Sequence, residues 1–409
     1  MYSIYFLFTE LLSKERMNWV KDSLYKFNHE TLRETKKQEM PSESYHLAMF
    51  LTGEAIYNLI DQQYSKLIED VLLNYEASVI IDPNELELYG FEYNDLVRNF
   101  KNKSSLLESK IRIIKKENFW TYLINNIKIR NKKNRIGFFQ FEGPYMSRTS
   151  VYATRFIESA IESKLNVDLY TYLDGIHIGH THQRPSEFEN IAEKLIELKS
   201  TAAEKDLDFN MFSCSRCATA RGYIKTPPKD EFIQSKDAIK DYLFCNLNKI
   251  VDKFEDDCVI MSPNSASIQF NDLRTQNTSY DKPKNIVLMT RPPYNSEWSF
   301  GGISFAMASA AHEISTRVLF LENGIYNIVG NHKVDETKKL FNLQEVIAAT
   351  ADMEHLEYFV YNPSLKMRRL SVHNDIKEHV KNIKKYEIGN ILFKTNKNKS
   401  KHQNRIIIF

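Results

Sequence analysis

Residues 135–177 read RIGFFQFEGPYMSRTSVYATRFIESAIESKLNVDLYTYLDGIH, and residues 285–326 read NIVLMTRPPYNSEWSFGGISFAMASAAHEISTRVLFLENGIY. Pro144-Tyr145 and Pro293-Tyr294 are 149 positions apart, and so are Asp174-Gly175 and Asn323-Gly324. One offset held at both ends of a segment argues for duplication. In each copy a short apolar run, 136–141 or 286–289, predicts a buried strand. A Pro-Tyr turn follows and a helix opens, capped in the first stretch by Ser147 or Thr149. Val151, Phe156, Ile157, Ala160 and Ile161 recur there at helical spacing. A second apolar run, 167–173 or 317–321, ends in Asp-Gly or Asn-Gly. A strand–helix–strand unit of this length predicts a parallel pair with a right-handed crossover.

Outside these stretches the plan recurs more faintly. Residues 3–9 and 46–51 read as strands flanking a helix over 14–28, followed by a helix over 62–74 and a strand over 77–81. The domain expectation is therefore a copy at 1–100, a helical linker at 101–133, a copy at 134–247, a connecting segment at 248–284 with an edge strand at 259–261, and a copy at 285–409. The last copy holds an apolar piece at 388–393, a basic stretch at 394–405 and a closing apolar run at 406–409. The closing run is expected to dock as a strand, because a solvated Ile-Ile-Ile-Phe end invites aggregation.

Composition fits this reading. The chain has 409 residues, 42% hydrophobic and 26% charged, which suits several globular domains rather than disorder. A net charge of +2 gives no long-range steering toward nucleic acid or a membrane surface. Four cysteines are too few for a disulfide-stapled scaffold, so a reducing compartment is expected. The opening MYSIYFLFTELL lacks a basic flank and reads as a strand, not a leader. No run is long enough to span a bilayer. A cytoplasmic protein is the expectation. The phosphate-loop, dinucleotide, HExxH and GxSxG motifs are all absent, against nucleotide hydrolysis, dinucleotide redox, metalloprotease and lipase chemistry.

The sharpest chemical feature is Ser213-Cys214-Ser215-Arg216-Cys217, running on to Arg221-Gly222. An apolar strand end meets a helix start at Ser213 or Cys214. Helix amides and the cations Arg216 and Arg221 would favour thiolate over thiol at Cys214; the bland alternative is a small buried hydrophobe. Cys217 falls on the same helical face. The C-x-x-C spacing leaves three readings open: a redox pair, half a zinc site, or an attacking and a resolving thiol. Zinc would need further ligands, which His177, His180 and His182 could supply; a polar loop with solvated histidines is the blander reading. One of these histidines could instead assist proton transfer or orient an anionic sulfur ligand. Cys245 sits in a helix-like apolar run and reads as core, and Cys258 follows two aspartates and reads as structural.

Apolar strand, Pro-Tyr turn, helix, strand ending in Asp-Gly-Ile, then Cys before Arg-Gly: this sequence of features resembles the DsrE/DsrF/DsrH (TusD/TusC/TusB) sulfur-relay family. The resemblance implies an α/β protein of three DsrE-like domains, each a mainly parallel β-sheet flanked by helices in a flavodoxin-like three-layer arrangement. In the family's active subunit type the cysteine precedes the glycine of Arg-Gly by eight positions, which here selects Cys214. The same count puts Asp82 and Asn362 in the cysteine's place in the first and last copies, so neither can hold a persulfide. The resemblance implies a sulfur carrier or sulfurtransferase relaying sulfane sulfur through a persulfide or thiosulfonate on Cys214, in sulfur oxidation or tRNA thiolation. Cys217, Arg216 and Arg221 would assist, and Tyr145, His177 and His180 would line the substrate site. No cofactor and no resident metal are expected. A TusA-like or rhodanese carrier would be the partner, and three fused copies would form one trimer, able to pair with another. Neither nucleic acid nor membrane is an expected partner. Two alternatives are a non-catalytic assembly module and a zinc or redox-switch protein using Cys214 and Cys217.

Overall fold

The structure, a computed structural model, describes residues 2–25, 45–101, 105–114, 118–127, 134–254, 260–262, 266–272, 284–334, 336–393 and 404–409. Cys258 and nearly all of the basic stretch lie outside the described residues. The chain forms two compact units, residues 1–113 with 268–409, and residues 114–267. Both are α/β, with large, mainly parallel sheets flanked by helices.

Three sets of four parallel strands follow one another along the chain. The first is β1 (Tyr2–Phe8), β2 (Tyr45–Leu51), β3 (Ala77–Ile81) and β4 (Ile111–Ile113), side by side in chain order. Helix α1 (Lys14–Ser23) follows β1, α2 (Gln62–Asn74) precedes β3, and α3 (Pro83–Leu88) follows it. β4 arises inside the stretch expected to be a helical linker. Its Ile111 is buried, which gives that short piece a reason to pair rather than stay in solvent.

The second set is β5 (Arg135–Gln140), β6 (Asn166–Thr171), β7 (Phe209–Cys214) and β9 (Tyr242–Cys245), with β8 (Ile233–Gln234) antiparallel at one edge and β10 (Ile260–Met261) parallel at the other. Ile136, Phe138, Phe139, Val167, Leu169 and Tyr170 are fully buried. Such unbroken apolar runs mark parallel strands covered on both faces. The covers include α4 (Thr149–Glu162), which buries Phe156, Ile157, Ala160 and Ile161, and α5 (Ile191–Glu204). The six-residue α6 (Ser215–Ala220) opens directly off β7.

The third set is β12 (Lys284–Met289), β13 (Thr316–Phe320), β14 (Leu356–Tyr361) and β15 (Val380–Ile383), with α7 (Trp298–Ala311), α8 (Leu343–Thr350) and α9 (Asn362–Arg368) in the three connections between them. β11 (Ala266–Asp272) and β16 (Asn404–Ile408) lie between this set and the first in one ten-stranded sheet. The closing apolar run does form a strand: β16 pairs with β12 and β11, and the Phe409 amide donates to the Leu288 carbonyl at 2.8 Å. Residues 388–393 form a short helix, α10 (Ile388–Phe393).

Backbone conformation ties the three sets together. The residue one past the end of each second strand donates in the same way: the amides of Thr52, Tyr172 and Leu321 bond the carbonyls of Phe8, Gln140 and Met289. The next residue is left-handed in every set, Gly53 (φ 56°), Leu173 (φ 53°) and Glu322 (φ 52°). A second left-handed position closes the helix after each third strand, at Gly90 (φ 72°), Gly222 (φ 81°) and Arg369 (φ 54°). Gly175 and Gly324 serve another purpose. A Cβ there would lie 2.3 Å from the Gln140 carbonyl oxygen and 1.8 Å from that of Met289, so the strand and the following 3₁₀ turn can touch only at glycine.

Candidate functional site

β7 carries an apolar strand to the carboxyl edge of its sheet and stops at Cys214, whose extended backbone (φ −66°, ψ 116°) makes it the N-cap of α6. Open α/β sheets place reactive groups at this edge. The Cys217 thiol hydrogen-bonds the Cys214 sulfur, and the amides of Cys217 and Arg216 and the Arg216 charge add to it. Together these hold the Cys214 pKa below that of an ordinary thiol, although burial opposes them. The same contact pushes Cys217 upward, reinforced by burial, while the Leu173 amide and the Arg221 charge pull the other way. The Leu173 N–H donates to Cys217 Sγ at 3.3 Å. Of the two thiols, Cys214 is therefore the more acidic.

A third sulfur belongs to this group. Cys245 ends β9 and is the in-register neighbour of Cys214, on the same face of the sheet. Burial and the Cys214 charge push its thiol up to about 12. Cys245 lies in the core as expected, but Tyr242–Cys245 is a strand and not a helix, and it sets Cys245 beside Cys214. Sequence reasoning missed it because a four-residue apolar run has no period to separate strand from helix.

The other expected site residues make contacts of their own nearby in the chain and its loops. Arg221 Nη2 pairs with Asp174 Oδ1 at 2.7 Å and its Nε lies 2.8 Å from the same oxygen, which ties the end of α6 to the 3₁₀ turn Leu173–Gly179. Arg216 is exposed. His177 Nδ1 bonds the Tyr223 hydroxyl at 2.9 Å, and burial with the Arg221 charge holds the imidazole below its usual pKa. His180 accepts from the His182 amide and sets its ring edge-on to Tyr223. The hydrogen bonds of these histidines thus run to Tyr223 and the loop. Tyr145 (φ 70°) stands in a left-handed turn, donates to Gln183 Oε1 at 2.9 Å and leans on Phe188. Its hydroxyl also takes the Ile191 amide, just as Tyr294 (φ 66°) takes that of Leu343, so the Pro-Tyr tyrosine meets the start of the second long helix of its copy, α5 or α8. No cluster of three or more His, Cys, Asp or Glu able to hold a metal ion occurs among the described residues. No helix among them is long and apolar enough to cross a membrane.

The equivalent places in the other sets are filled differently. Asp82 is fully buried, caps α3 through the Asn84 amide and accepts from Thr52 Oγ1 at 2.9 Å. In the last set the strand register corrects the expectation of Asn362. Ser213 pairs with Thr171, and Val360 pairs with Phe320, so the residue after Val360, Tyr361, matches Cys214. Its hydroxyl donates to Asp22 of α1. That helix makes further contacts at this edge: Arg16 grips Glu322 at 2.8 and 3.0 Å, Trp19 Nε1 reaches the same carboxylate at 2.6 Å, and Glu15 pairs with Arg368 at 2.7 Å.

Two stretches, residues 134–241 and 284–394, match the model of the DsrE/DsrF-like family; the first third of the chain is unmatched. Among solved structures, the crystal structure of the YchN protein from E. coli is 19% identical over 32% of this chain and 98% of that chain, with a TM-score of 0.25. No curated protein is significantly similar.

Proposed function

Since this chain belongs to the DsrE/DsrF-like family, we propose that it accepts, holds and passes on sulfane sulfur as a persulfide of Cys214. The observation that carries the reading is the place of that one sulfur: a strand-end cysteine at the start of α6, its pKa held below that of an ordinary thiol by the neighbouring thiol and the first amides of the helix. The thiolate attacks the outer sulfur of a donor persulfide, an Sγ–S bond forms, the donor S–S bond breaks and the donor leaves as thiolate. Ser215 Oγ, next in the chain, is buried and makes no hydrogen bond among the described residues, which leaves it free to donate to the added sulfur. The acceptor is a carrier protein of the TusA or rhodanese type, in sulfur oxidation or tRNA thiolation. The first strand set serves as a third, cysteine-free copy of the domain.

Cys214 is 1% exposed, so sulfur enters only when α6 lifts. The helix is short and is held by the Arg221–Asp174 pair at one end. The same burial favours a second reading, in which the protein is a binding module and Cys214 packs its core. Mass spectrometry after treatment with glutathione persulfide separates them. Gain of one sulfur atom by the native protein, absent in Cys214→Ser, supports the carrier; equal loading of both proteins, or of neither, rejects it.

A further inference from the structure

The two sulfurs at 214 and 217 occur together or not at all. The three matched position pairs read Cys214 with Cys217, Asp82 with Glu85, and Tyr361 with Ser364. In the last set the left-handed Glu322 directs its amide at Ser364 Oγ at 3.1 Å, just as Leu173 directs its own at Cys217 Sγ at 3.3 Å. A built amide donor therefore exists at this place in both copies, and only the copy with a partner thiol supplies it with sulfur. We propose that Cys217 is a second reacting group, which releases sulfur from the Cys214 persulfide as hydrosulfide and leaves a Cys214–Cys217 disulfide. The proposal rests on the carrier reading and adds a reductive exit to it.

The step balances. Cys217 Sγ attacks Cys214 Sγ, a new S–S bond joins the two cysteines, and the bond from Cys214 to the sulfane sulfur breaks. The Cys217 proton moves to the departing sulfur, which leaves as HS⁻. The sulfane sulfur is reduced and the two cysteines are oxidised. A dithiol reductant restores both thiols, becoming a disulfide itself. The geometry favours this order. Once Cys214 carries sulfur, the negative charge moves out to the sulfane atom, one bond farther from Cys217, while the Leu173 amide and Arg221 remain to favour the second thiolate. The two groups are held in contact, so the intramolecular attack has a large kinetic advantage over an outside thiol.

The test loads native protein, Cys217→Ser and Cys214→Ser with glutathione persulfide under anaerobic conditions, removes the donor, and follows hydrosulfide and intact mass. Native protein should release one equivalent of hydrosulfide at least about tenfold faster than Cys217→Ser, and become lighter by two hydrogens, with peptide mapping placing the disulfide at 214–217. Cys217→Ser should keep its sulfur until an external thiol is added. Native protein that holds its sulfur as long as Cys217→Ser overturns the proposal and leaves the carrier reading intact, as does a disulfide to Cys245. Failure of both proteins to load at Cys214 defeats the carrier reading and this step with it.

Discussion

Leu173 and Glu322 are bulky residues in the left-handed region, a conformation that disfavours side chains by roughly 1–3 kcal/mol. Each is followed two positions later by a glycine with no room for a Cβ. Asp-Gly and Asn-Gly look like simple turn signals in the sequence, yet the left-handed residue is the one before the Asp or Asn, and the glycine answers to a close approach. Gly175→Ala and Gly324→Ala should each lower stability by about 3 kcal/mol or more, with the larger loss at Gly324, where the intrusion is deeper; urea denaturation reads the difference, and a loss below about 1 kcal/mol at either would contradict the packing described. His177 gives a pH signature. Its folded pKa is depressed, so it is neutral in both states above the ordinary imidazole value, and the unfolded chain takes the proton first as pH falls. The stability of native protein relative to His177→Gln should therefore decline below about pH 6.5. Thermal melts of both proteins across that range check the sign; a gap that widens on acidification rules it out. Cys214 was legible because a strand end, an arginine and a left-handed glycine surround it in one short stretch. Cys245 was not, since only the non-local pairing of β7 with β9 brings it there.

At the scale of elements, the proposed entry of sulfur turns on α6. Six residues give it little helical cooperativity of its own. The Arg221–Asp174 pair is half in solvent, Asp174 being 62% exposed at its side chain, so it adds no more than about 1 kcal/mol to global stability. Its effect should show instead in local opening. Asp174→Ala is expected to raise the rate of Cys214 alkylation about three- to tenfold with little change in the melting temperature; an unchanged rate would mean that the pair does not hold the helix. The repeat was easy to read between 135 and 326 because both copies keep Pro-Tyr and a glycine at one offset. The first copy lacks the Pro-Tyr turn and was fainter. The one-residue slip at Asn362 has a clear origin. The count ran back from Leu370, but the left-handed closing residue is Arg369, and no glycine marks it in the sequence.

Across the unit formed by residues 1–113 and 268–409, one helix closes one sheet edge. Arg16 and Glu322 are 10% and 12% exposed at their side chains, and each meets the other in a two-pronged contact. Arg16→Met would leave Glu322 buried beside Trp19 without its cation, and should destabilise this unit by about 3 kcal/mol. Calorimetry would record it, and a shift under about 1 kcal/mol would show that the pair is incidental. Nothing in the local sequence announces this contact, because its partners lie 306 positions apart and each reads alone as an ordinary helix or turn charge.

The covering of that edge bears on how such a protein could change. Under the carrier reading, a cysteine in place of Tyr361 would not double the cargo while α1 stays in place: the new sulfur would lie beside the Asp22 carboxylate that Tyr361 now engages, whose negative charge disfavours a thiolate. A lineage or a designer seeking a two-sulfur version would first have to peel that helix away, surrendering the very clasp that joins the first and last copies. Under the carrier reading proposed above, that clasp leaves Cys214 as the loading position among the three matched places.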